Sequence, residues 1–93
     1  MAKMAATITV AHLPHPATEK NILNSCDIFE DAIDAYMEHT NTLIKVLSFR
    51  VDESRASING QLAFNTKKEY NQFIKEFHVS KEKIISCFEY EVL

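Results

Sequence analysis

His12 and His15 flank Leu13-Pro14 in the stretch HLPHP, and imidazoles three apart can share a divalent metal. A catalytic metal site takes about three protein ligands and an open position. The sequence signposts no third ligand, because His39 and His78 close predicted helices, where a cation suits the helix dipole. The histidine pair is therefore read as structural, and no metal or other cofactor is expected. Cys26 and Cys87 are the candidate nucleophiles. Cysteine chemistry needs a base within reach. Cys26 belongs instead to an apolar helical stripe and Cys87 to a predicted strand, so both read as small core hydrophobes. No pair of carboxylates falls in a predicted pocket. A protein without catalytic activity is expected.

The densest chemistry is electrostatic. Asp27, Glu30, Asp31, Asp34 and Glu38 follow one another with no basic residue between Asp27 and Glu38. At about 100° per residue, Asp27, Asp31, Asp34 and Glu38 share one side of a helix. Asp27/Asp31, Glu30/Asp34 and Asp34/Glu38 are like-charge pairs four apart, each costing about 0.2–0.5 kcal/mol. Glu38 also sits near the negative end of the dipole. Ile28, Ala32 and Ala35 run along one flank. The bland reading is a solvated face that keeps the protein soluble. The sharper one is a contact surface of Asp27, Ile28, Asp31, Asp34 and Glu38 for a basic partner, where charge sets on-rate and partner choice. Between residues 66 and 83 the balance reverses. Lys67, Lys68, Lys75, Lys81 and Lys83 outnumber Glu69, Glu76 and Glu82, a difference in sign that either steers self-association or draws the two helices together.

These residues need elements to hold them. Residues 5–12 alternate as a first strand, with Ala6, Ile8 and Val10 on one face and Thr7 and Thr9 on the other. Pro14 and Pro16 make the next segment a loop. A helix follows from about residue 17 or 18 to His39, its stripe stepping through Ile22, Cys26, Phe29, Ile33 and Met37. Asn21, Asn24 and Ser25 are poor helix formers and leave room for a break near Ser25. Residues 42–51 form a second strand, DESR a turn, and residues 56–64 a third strand. In that strand Ala56, Ile58, Leu62 and Phe64 point inward, and Ser57, Asn59 and Gln61 outward. Gly60 falls on the inward side, the mark of a bulge or of close packing beneath a helix. Thr66-Lys67-Lys68-Glu69 is a capping box that opens a second helix with a Tyr70, Phe73, Ile74, Phe77 core face. Residues 88–92 alternate as a last strand.

The order β-α-β-β-α-β predicts a ferredoxin-like α+β fold, a four-stranded antiparallel sheet with two helices on one face. Residues 1–93 read as a single domain. Apolar residues at 46% and charged residues at 25% are those of an ordinary globular protein. The lone glycine excludes phosphate-cradling loops, which need several. No apolar run reaches the roughly 20 residues that span a bilayer. The N-terminus carries no cleavable leader pattern. Together with two unpaired cysteines, this predicts a cytoplasmic protein. The net charge of −3 speaks against a general nucleic-acid surface.

Residues 59–66, NGQLAFNT, resemble the third-strand motif of RNA-recognition domains in placing a Gly, a small residue and an aromatic in sequence. That resemblance implies bases stacked on outward-facing rings. Asn59 stands where the motif has a basic residue, and Phe64 falls in phase with Ile58 and Leu62 on the helix side. The outward positions offer no ring. Acylphosphatase-like enzymes share the topology, but their Gly-rich loop with its Arg is replaced by HLPHPATEK. The leading expectation is a small protein-binding module acting as regulator, adaptor or inhibitor. The first alternative is a dimer holding a small ligand between sheet and helices, suggested by a weakly polar outer sheet face together with Ile44 and Val46. The second is a single-stranded nucleic-acid binder.

Overall fold

A computed structural model describes residues 2–92. The elements are β1 (Ala2–His12), α1 (Glu19–Thr40), β2 (Ile44–Asp52), β3 (Ser57–Phe64), α2 (Lys67–Glu76) and β4 (Ile84–Glu91). Short 3-10 turns occupy Glu53–Arg55 and Lys81–Lys83. The strands pair antiparallel in the order β2-β3-β1-β4, and both helices pack on one face. This is the ferredoxin-like arrangement that the element order predicts.

Alternation decides which side chains meet the helices. Met4, Ala6 and Ile8 of β1, Leu62 and Phe64 of β3 and Ile44 of β2 form the floor of the core. Ile33 and Tyr36 of α1 and Tyr70 and Phe73 of α2 form its roof. Ile58 is equally buried on the inward side of β3. Gly60 is the inward residue between Ile58 and Leu62. A Cβ there would lie 3.0 Å from Val10 Cγ1 and 3.5 Å from Phe49 Cε1. Its missing side chain lets Phe49 reach up to Phe29 of α1, edge to face at 6.1 Å. The expected close packing beneath a helix is what Gly60 provides.

Several boundaries differ from the sequence expectation. β2 begins at Ile44 rather than Thr42, and β4 begins at Ile84 rather than Phe88. Ala56 is not an inward strand residue. It is exposed in the left-handed region at φ 50, closing the turn that Asp52 opens by accepting from Arg55 N at 3.3 Å. No break occurs at Ser25: the helix continues through it, and its Oγ donates to the Asn21 carbonyl at 3.2 Å. The Thr66 hydroxyl accepts from Glu69 N at 3.1 Å and so caps α2. The return bond from the Glu69 carboxylate does not form: its Oε2 is buried without a hydrogen-bond partner. Cys26 is buried as expected, whereas Cys87 is exposed on an edge strand rather than in the core.

Candidate partner-binding site

The acidic ridge owes its position to the way α1 starts and to what it buries. Thr18 caps the helix by accepting from Asn21 N at 3.2 Å, and Asn21 Nδ2 donates to the Pro16 carbonyl at 2.9 Å. Cys26, Ile33 and Tyr36 then turn into the core, which carries Asp27, Asp31, Asp34 and Glu38 to the opposite side. All four are exposed, and so is Ile28 at 63%. The structure thus brings the five residues expected to bind a partner together on one open surface. None of the four carboxylates makes an ion pair among the described residues. Ion pairs form elsewhere, between Arg55 Nε and Asp52 Oδ2 at 3.7 Å and between Lys67 Nζ and Glu89 Oε1 at 3.6 Å.

Beside the ridge the two helices part. Tyr36 meets Phe73 and Phe77 edge to face at 5.5 and 5.1 Å, closing the helix layer at that end. Toward the start of α1 a groove of about 380 Å³ opens, bounded on that helix by Ser25, Ile28, Phe29 and Ala32 and floored by residues 8–11 of β1. Phe77, Val79 and Lys83 form its far wall. Val10 helps shape the floor because the β1–β3 register slips between Thr9 and Ala11, leaving it as an extra residue. The volume lies at the low end for small-molecule pockets. Ile28 belongs both to the groove and to the flank of the acidic ridge.

Sequence reasoning missed two features here. Tyr36 falls outside the stripe traced through Ile33 and Met37, yet it is more buried than Met37. Its place three residues after Ile33 and seven after Phe29 was the available signal. Burial, then the carboxylates of Glu76 and Glu69, hold its phenol above the ordinary range. The second miss concerns the outer face of the sheet. Phe88 pairs with Ala5 and Tyr90 with Lys3, both on the face away from the core. That face therefore carries two rings, 6.1 Å apart and 54% and 37% exposed, where none was expected. The alternation Phe88-Glu89-Tyr90 was legible, but which face it presented depended on the pairing with β1.

His12 and His15 are both exposed, in the last residue of β1 and the loop after it. No group of three His, Cys, Asp or Glu able to hold a metal occurs among the described residues. Burial pushes the Cys26 thiol up, and the carboxylates of Glu30 and Asp27 push it further, which suppresses the reactive thiolate. Burial, with Cys87 alongside, raises the Tyr70 phenol to about 12. No helix is long and apolar enough to cross a membrane. Comparison with protein-family models, curated proteins and solved structures returns no significant match to this chain.

Proposed function

We propose that the protein is a non-catalytic binding module, a regulator, adaptor or inhibitor, that captures a partner with a basic surface through the acidic ridge of α1. The observation that carries this reading is the openness of the ridge. Asp27, Asp31, Asp34 and Glu38 line one side of the helix without a cation of their own among the described residues, and an apolar groove adjoins them at Ile28. Like-charge pairs four apart weaken a helix, so their cost is offset once a cationic partner covers them. The groove takes an apolar side chain from that partner, the kind of buried anchor around which interface energy concentrates.

The test replaces Asp27, Asp31, Asp34 and Glu38 with Ser and compares proteins captured by the two immobilised chains, identified by mass spectrometry. Basic partners should be held by the native chain, released by added salt, and lost from the variant while its circular dichroism is unchanged. Capture that ignores the substitutions removes the proposal.

The groove also supports a second reading, in which it holds a small apolar ligand between sheet and helices. Filling it through Ala32→Phe should then abolish ligand-induced thermal stabilisation while leaving ridge-dependent capture intact.

A further inference from the structure

We propose that the outer face of the sheet packs against the same face of a second copy of this chain. The two copies are related by a two-fold axis parallel to the strands, and each Phe88 is seated over the second copy's Lys45. This inference is independent of the ridge reading, because the outer face points away from both helices.

The argument comes from the strand register. One cross-strand row on the outer face runs Phe88–Ala5–Ala63–Lys45, and the next runs Ser86–Thr7–Gln61–Ser48. A two-fold axis between β1 and β3 exchanges β4 with β2 and β1 with β3, so each row falls on itself reversed. The centre of the first row, Ala5 and Ala63, is buried or half-buried and carries no long side chain to hold the sheets apart. An exposed aromatic ring meets an ammonium group at each end, a favourable cation–π pairing. Lys45 is exposed and makes no ion pair among the described residues. In the second row Thr7 lies over Gln61 and Ser86 over Ser48, groups that both donate and accept hydrogen bonds. Neither row sets like charges against each other. Such self-complementarity is what an isologous contact requires.

The size of the face also fits. Four strands about 4.8 Å apart and about eight residues long at roughly 3.3 Å each give roughly 500 Å² per face. Both copies together then bury roughly 1,000 Å², the lower bound for a specific interface. A nucleic acid fits less well: the central strands present half-buried Thr7, Thr9 and Gln61, Asn59 is buried, and among the described residues the rings of this face sit on edge strand β4. Stacking platforms need flat rings along the path of the strand. Dimerisation places two acidic ridges on opposite outer surfaces, so each dimer offers a basic partner two sites.

Light scattering and sedimentation of the full chain, from micromolar to millimolar concentration, test the proposal. The native chain should reach twice its 10.7 kDa mass. Phe88→Lys, which sets one cation against another, should lose the dimer at matched concentration. Lys45→Glu, an exposed edge substitution that spares the core, should weaken it as well. The double variant Phe88→Lys/Lys45→Glu should restore it, since each end then holds an opposite-charge pair. A monomer at every concentration overturns the proposal, with or without single-stranded RNA bound. A dimer insensitive to both single substitutions, or one that the double variant fails to restore, overturns it equally.

Discussion

The two ends of the helix layer lie on the same sheet and are built from the same two helices, yet one is filled and the other open. At the closed end Phe64, Tyr70, Phe73, Phe77 and Tyr36 interlock, with Phe73 and Phe77 stacked at 4.4 Å. At the open end Ser25, Ile28, Phe29 and Ala32 of α1 do not close against α2, and a groove remains whose inner wall is formed by the same Phe73 and Phe77. Rings at the closed end supply the burial that holds the fold, which leaves the other end free to stay unfilled. A binding surface with the acidic ridge along its rim is the expected use of such an end.

Substitutions at the two ends should therefore behave differently. The largest effect is expected at the closed end. Phe73 is 0% exposed, and Phe73→Ala should destabilise the fold by about 3–5 kcal/mol in urea unfolding. Gly60→Val comes next, because its new methyls would press on Val10 beneath the groove and on Phe49. A loss of about 1–3 kcal/mol is expected from such overpacking, together with weaker occupation of the groove. At the open end Ile28→Ala should change stability by no more than about 0.5 kcal/mol, as for an exposed site, while reducing partner capture. An Ile28→Ala variant that lost stability on the scale of Phe73→Ala would show that the groove is closed by packing in solution.

The smallest effect is an acid one, at the turn between β2 and β3. Hydrogen bonding by Ser54, supported by Arg55 N and the Arg55 cation, holds the Asp52 carboxyl below its ordinary value of 3.8. A lowered folded pKa means that the contribution is complete above the unfolded value and fades as pH falls through the folded one. Asp52→Asn should therefore lower the melting temperature slightly at neutral pH. The difference from the native chain should vanish in strong acid.

Much of this was legible in the residues. The helical periods, the Thr66 cap, the alternation in β1 and β3 and the inward phase of Gly60 follow from local stereochemistry, which acts over a few residues. The acidic ridge was legible for the same reason, because a helix fixes which of its own residues share a side. The crowding of Gly60 by Val10 and Phe49, by contrast, comes from neighbouring strands. Tyr36 was legible only in its helix face, through its spacing from Ile33 and Phe29, while the depth of its burial depends on the rings of Phe73 and Phe77. Cys87 misled because an edge strand and a central strand read alike until the pairing order is known. The outer-face rings of β4 were hidden likewise, for a one-residue change of register would have turned Phe88 and Tyr90 to the helix side.

The amino-acid sequence by itself determined the element order, the fold class that this order implies, and the side of α1 that carries negative charge. All of these rest on contacts between near neighbours in the chain. Only the tertiary structure decided that α1 and α2 part beside Ile28 to leave a groove, that no lysine or arginine reaches the ridge, and that Phe88 stands in one row with Lys45. Those facts join residues distant in sequence. Their distances are set by packing across the whole sheet, which no local pattern encodes.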